Sequence, residues 1–243
     1  MKILAVSDVE SKFIWDHFDP QVFSGIDLII SCGDLKSSYL SYLVSMIPAP
    51  LFYVFGNHDQ EYVHKPPFGC ESIDGRVLEH KGLRVAGLGG CMGSDPTNDY
   101  QFSEGQMEKR VRRLQADMRR QKKIDIFVSH APLKGIGDLN DEFHQGFACF
   151  EDVHRLNQPA LHLFGHRHLS GNPVNRAAVY RSGDVTLINC TGYRIIDLAE
   201  YGIHPHEGGP DRSSGPERRH SERPMGPRRG RPHHPRKDRD ING

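Results

Sequence analysis

Five short apolar runs in this chain each end on a polar side chain able to hold a cation or move a proton, and that repetition constrains the fold most. The most telling run is Leu51-Phe52-Tyr53-Val54-Phe55, followed at once by Gly56-Asn57-His58-Asp59. Aromatic and β-branched residues in an unbroken row predict a strand buried on both faces. Glycine stops such a strand and frees the backbone to turn. An amide, an imidazole and a carboxylate at the end of a buried strand are costly to desolvate unless they coordinate something or do chemistry. One stretch of this kind, taken alone, reads as an ordinary polar turn.

The other four runs follow the same plan. Ile3 to Val6 ends in Ser7-Asp8-Val9-Glu10, and Leu28-Ile29-Ile30 ends in Ser31-Cys32-Gly33-Asp34. Ile124 to Val128 leads into Ser129-His130, and Leu161 to Phe164 into Gly165-His166-Arg167-His168. A segment with Phe13, Ile14, Trp15 and Phe18 reads as a helix closed by Asp19-Pro20. Residues 37–47, with Ser37 as N-cap, show helical spacing up to Pro48. Alternation of strand and helix predicts a parallel sheet. Residues 60–75 read as a loop, 76–79 with 83–88 as a hairpin, and 89–100 as a long loop lining a site. Residues 104–121 give the clearest helix, with Met107, Val111, Leu114 and Met118 on one stripe. Its basic residues Lys109, Arg110, Arg112, Arg113, Arg119 and Arg120 read as a solvated face before a nucleic-acid surface. Residues 185–188 and 194–198 complete the strands.

Composition narrows the class. The 243 residues carry 31 Lys and Arg against 31 Asp and Glu, a formal net charge of zero. Residues 204–243 hold ten of those bases and six of the acids, so the rest of the chain is slightly acidic and has no general drive toward nucleic acid. That tail also holds seven prolines, six glycines and five histidines with little to bury, which predicts disorder beyond a domain of residues 1–203. The five cysteines are scattered, with no CxxC pair, so neither a disulfide framework nor a thiolate zinc site is expected. The apolar start, Met1 to Val6, is too short for a signal core or a membrane span. A soluble, cytoplasmic protein is the expectation.

In open α/β sheets, ligands bind beyond the carboxyl ends of the strands, so Asp8, Asp34, Asn57, His58, His130, His166 and His168 are expected to converge. Each alone is more often a cap or turn residue; together, in that order, they favour a metal site. Carboxylates, one amide and several imidazoles, with no thiolate, suit hard or borderline divalent ions.

Asp8-Val9-Glu10, Gly33-Asp34, Gly56-Asn57-His58-Asp59, Ser129-His130 and Gly165-His166-Arg167-His168 resemble, in order and spacing, the five blocks of the calcineurin-like metallophosphoesterases. The resemblance spans roughly residues 1 to 200 and is greatest to small bacterial members. It implies an α/β fold, a two-sheet αββα sandwich with the active site at the strand C-terminal ends. It also implies a dinuclear centre. One ion would lie on Asp8, Asp34, His168 and residue 10; the other would lie on bridging Asp34, Asn57, His130 and His166. A water shared by two cations loses its proton near neutral pH and can attack phosphorus in line. His58 would protonate the leaving oxygen and Asp59 would orient it. Arg167 is a candidate phosphate contact, with a structural role equally open. The implied activity is hydrolysis of a phosphomono- or phosphodiester of small size through a metal-bridging hydroxide. The implied cofactors are two divalent ions, Mn²⁺ foremost and Fe²⁺, Zn²⁺ or Mg²⁺ as alternatives.

One position departs from the family's pattern, whose first block is Asp-x-His: residue 10 is Glu10. Glu10 as an oxygen ligand favours harder cations; the alternatives are binding through water, or a decayed site. Direct ligation is preferred, because a carboxylate still coordinates and every other ligand is present. Two other functions stay open. One is a non-catalytic protein-interaction scaffold of the same fold, which would typically have lost the catalytic histidine or several ligands. The other is a nuclease, whose binding would fall steeply with salt. His144 reads as an ordinary loop histidine near the rim and His162 as a satisfied buried one. Substrate identity and oligomeric state leave no mark in the sequence.

Overall fold

The computed structural model describes residues 1–95, 97–120, 123–138, 144–168 and 179–204, all within one compact unit, Met1–Gly209. The expected disorder of the tail lies, beyond His204, outside the described residues. The first half runs β1 (Lys2–Ser7), α1 (Lys12–Asp16), β2 (Ile26–Ser31), α2 (Ser37–Met46), β3 (Leu51–Tyr53) and β4 (Cys70–Ser72). A hairpin of β5 (Val77–His80) and β6 (Leu83–Leu88) follows, then a small ribbon of β7 (Cys91–Met92) and β8 (Gln101–Phe102). The second half runs α3 (Glu104–Arg120), β9 (Ile126–Ser129), α4 (Phe150–Asn157) and β10 (Leu161–Phe164). It closes with β11 (Val179–Ser182), β12 (Val185–Asn189) and β13 (Gly192–Asp197).

Two large sheets share one design, a parallel centre with antiparallel strands confined to the edges. The five-stranded sheet has the order β13-β1-β2-β3-β4, with only β13 antiparallel. The six-stranded sheet has the order β11-β12-β10-β9-β6-β5, with β11 and β5 antiparallel at its edges. Side chains alternate across each strand, and both faces are covered. Ile3 and Ala5 of β1 meet Ile126 and Val128 of β9 between the sheets. Leu4 and Val6 turn the other way, onto Tyr39, Leu40 and Leu43 of α2. Phe127 of β9 packs outward with Met107, Val111, Leu114 and Met118 of α3 and with Phe150 and Val153 of α4. The order of layers is therefore α, β, β, α, and burial on both faces explains why these strands read as unbroken apolar runs.

Several local expectations are corrected. Ser37 is the first helical residue of α2 and not its cap, which is Lys36 without a side-chain hydrogen bond. Residues 60–75 are not all loop. They hold a 3-10 turn, Gln60–Val63, and strand β4, which extends the sheet parallel to β3. Helix α4 and strand β11 are additions to the sequence reading. No helix among the described residues is long and apolar enough to cross a membrane.

Candidate metal centre

The carboxyl ends of β1, β2 and β3 meet those of β9 and β10, and His130, just past β9, sits wholly buried at the junction. Its Nδ1 lies 2.8 Å from the Cys32 carbonyl oxygen, which can only accept, so Nδ1 carries the hydrogen. The other nitrogen, Nε2, then presents a lone pair in the neutral ring. Around it lie His166 Nδ1 at 3.1 Å, Asn57 Oδ1 at 3.2 Å and Asp34 Oδ2 at 3.4 Å. Asp34, His130 and His166 also bring their ligand atoms within 4.8 Å of one another. Oxygen and imidazole nitrogen atoms gathered around one point can share a positive charge between them. This donor set fits a divalent cation.

The titration behaviour follows from the same geometry. Burial opposes a charge on His130, but Asp34 and Asp8 overcome it and hold the ring up to about 9. Burial likewise works to raise Asp34, and His130, His58 and a backbone N–H outweigh it, holding that carboxyl well below the usual range. A proton on His130 thus occupies the electrostatic role that a cation would take.

Backbone strain marks the same residues. Asp8, Asp34 and His166 are three of the five described non-glycine residues with positive φ, at 61°, 57° and 65°. Such a conformation costs an L-residue roughly 1–3 kcal/mol and persists where surrounding structure over-determines it. Here that structure is identifiable. The buried Asp59 carboxylate accepts from Gly56 N at 2.7 Å, Asp34 N at 2.8 Å and Leu35 N at 3.1 Å, locking the second block to the third. Burial pushes Asp59 up to about 6 despite those donors. Asp34 Oδ1 in turn accepts from His58 N at 2.8 Å. A Cβ at Gly56 would overlap the Asp34 carboxylate and lie 2.7 Å from His130 Cε1, so only glycine fits there. Asp8 is held by His166 N at 2.9 and 3.1 Å and by the Thr191 hydroxyl at 3.2 Å, which ties the two sheets together.

A cavity of about 710 Å³ opens beside the cluster, lined by Asp34, Asn57, His58, His166 and His168 and, opposite, by Cys91 to Asp95 and Gln101. That second wall is bolted to the third block. Tyr100 stacks on Phe55 at 3.9 Å, and Asn98 Nδ2 donates to the Asn57 carbonyl at 2.9 Å. Arg110 of α3 reaches Asp74 at 2.5 Å and Gly89 O at 2.7 Å, and lies over Phe102 at 4.2 Å. The expected solvated basic face therefore loses Arg110, which is a structural clamp.

Comparison with known protein families matches residues 1–170 to the family described as calcineurin-like phosphoesterase. The chain belongs to the calcineurin-like phosphoesterase family. No curated protein matches it in sequence. Among solved structures it is similar to the protein TT1561 of Thermus thermophilus, at 18% identity and a TM-score of 0.57, over 82% of this chain and 95% of that one. It is also similar to phosphopantetheinyl hydrolase (PptH) from Mycobacterium tuberculosis, at 13% identity and a TM-score of 0.51, over 78% and 88% of the two chains. At these identities the likeness carries the fold alone.

In this calcineurin-like phosphoesterase the expected site residues are only partly gathered at one point. Asp34, Asn57, His130 and His166 come together, while His58 and His168 line the cavity. Asp8 adjoins the cluster through the His166 backbone. Glu10 faces Lys36, at 3.6 Å, and does not line the cavity. The Arg167 guanidinium donates to the Tyr180 hydroxyl at 2.5 Å and, at 3.5 Å, to Gly137 O. Asp59 spends its hydrogen bonds on backbone N–H groups, which corrects its expected role as orienter of the His58 ring.

Sequence reading also missed what stands behind His130. Ser129 Oγ donates to Ala131 O, spanning the ligand between them, and so accepts from His162 Nε2 at 2.7 Å. His162 Nδ1 must then accept from His154 Nε2, at 3.0 Å, and His154 Nδ1 is left buried without a hydrogen-bond partner. Burial pushes His154 down to about 4 and lowers His162 as well, so both rings are neutral.

Proposed function

We propose that this chain is a dinuclear metal-dependent phosphoric ester hydrolase acting on a small phosphomono- or phosphodiester. The observation that carries this reading is the meeting of Asp34, Asn57, His130 and His166 donor atoms beside a cavity that exposed His58 also lines. Asp34 would share its two oxygens between the ions, with Asn57, His130 and His166 completing one site and Asp8, His168 and Glu10 the other. Divalent cations, Mn²⁺ foremost, would supply activation of water and screening of phosphoryl charge when bound. The present pairing of Glu10 with Lys36 is no obstacle, since a long ion pair to a largely exposed lysine is worth about 0–1 kcal/mol and is readily given up.

The remaining work falls to the chain's own groups. His58 would give its proton to the leaving oxygen, and its backbone N–H, held by Asp34 Oδ1, fixes where that ring starts from. The wall of Cys91 to Asp95 and Gln101 would hold the leaving group against it. All five cysteines are free, which supports a reducing, cytoplasmic setting. The test is hydrolysis of p-nitrophenyl phosphate and its bis ester with added Mn²⁺, by wild type and His58→Ala, beside metal analysis of both. His58→Ala should keep its metals and lose rate mainly on esters with poor leaving groups. Absence of turnover with either ester across several metals would point instead to the scaffold reading.

A further inference from the structure

His144 stands outside the ligand set but inside the same cavity. Its ring centroid is 5.3 Å from that of His166 and 6.3 Å from that of His168. The chain just beyond it is firmly placed. Phe147, fully buried, exchanges backbone hydrogen bonds with Pro132 O at 3.1 Å and Lys134 N at 3.2 Å, on the segment that leaves His130. Asp138 accepts from Gly135 N at 3.0 Å and Gly146 N at 3.3 Å, and Glu104 accepts from Cys149 N at 2.7 Å. A Cβ at Gly146 would come within 2.6 Å of the Pro132–Lys134 backbone, so the two segments touch main chain to main chain. The imidazole two residues earlier is thereby carried into the cavity by a fixed support.

The cavity's described lining contains no lysine or arginine. Imidazoles are then the side chains of that lining able to offer a charged donor to the non-bridging oxygens of a phosphoryl group, with Asn57, Ser94 and Gln101 able to add neutral ones. Of the imidazoles, His166 is turned toward His130 in the cluster, His168 is assigned to the other ion, and His58 is assigned to the leaving oxygen. His144 stands beside them in the same lining, its ring against those of His166 and His168. We infer that His144 is a phosphoryl-binding residue, its ring N–H donating to a non-bridging oxygen of substrate or product. The inference rests on the phosphoesterase reading of the same site.

The experiment is calorimetric titration of inorganic phosphate into the full chain loaded with Mn²⁺, for wild type, His144→Ala and His144→Gln, with metal content measured on each. A hydrogen bond to a charged oxygen is lost in His144→Ala, so phosphate affinity should fall about tenfold to a hundredfold at unchanged metal content. His144→Gln, which keeps a donor, should recover part of that loss. Equal phosphate affinity in wild type and His144→Ala would overturn the inference while leaving the phosphoesterase reading standing. Loss of a metal equivalent in His144→Ala would also overturn it, making His144 a ligand. Failure of the metal-loaded wild type to bind phosphate would sink the parent reading and the inference together.

Discussion

The two halves of the candidate centre are built to different standards. Around His130, three donor atoms lie 3.1–3.4 Å from one buried nitrogen, and the neighbours that hold them are themselves buried and hydrogen bonded. Around Asp8, among the described residues, the aspartate alone is seen to be braced; Glu10 is turned to Lys36, and His168 is exposed at the cavity. A site whose ligands are already in place spends little of its binding energy on ordering them, whereas the other half of the proposed pair would have to gather its ligands on binding an ion. The expectation is one tight and one weak ion, with the tight one on the His130 side.

The largest expected effect comes from Asp34, the side chain proposed to serve both halves. Asp34→Asn keeps the shape but removes the shared charge, and should cost both metal equivalents and all activity. One full equivalent retained at wild-type affinity would show that Asp34 is not shared. Next is Asp59→Asn, which sets an amide where three backbone N–H groups need an acceptor. Loss of such an outer support typically costs about 10- to 100-fold in metal affinity. The loss should fall on the tight ion, and equal weakening of both would erase the contrast between the halves. Glu10→Ala should remove only the weak ion and Glu10→His should keep it; unchanged metal content in Glu10→Ala would take Glu10 out of the ligand set.

The smallest effect concerns the string behind His130. His154 has a folded pKa of about 4, below its unfolded value of 6.5. Below pH 6.5 the unfolded chain takes up a proton that the folded chain refuses, so stability falls as pH drops from 6.5 toward 4 and is fully present above 6.5. His162, also lowered, adds to the slope. Each such histidine can change the folding constant by up to about tenfold per pH unit. Urea unfolding of the metal-free protein should show that slope, and His154→Leu should flatten it.

Much of this was legible in the chain because the strand tips are local signals. An apolar run followed by Gly-Asn-His-Asp needs no long-range information, and the stripe Met107, Val111, Leu114, Met118 is set by one helix's own period. What stayed hidden depends on partners distant in sequence. Asp59 serves N–H groups some 25 residues away, and the partners of Arg110 lie 21 and 36 residues away. No periodicity reports such pairings. His144 gained meaning only from the neighbouring rings of His166 and His168. Strand β4 pairs through its backbone, so Cys70-Glu71-Ser72 carries no apolar pattern, and α4 ends on Gln158 in the left-handed conformation that usually announces itself with glycine.

The most direct test of the unequal halves is calorimetric titration of metal-free protein with Mn²⁺, compared with His130→Ala and His168→Ala. Wild type should show two classes of site. His130→Ala should abolish the tighter class, and His168→Ala should abolish the weaker one and leave the tighter in place. A tight class that survives His130→Ala and disappears in His168→Ala would contradict the assignment.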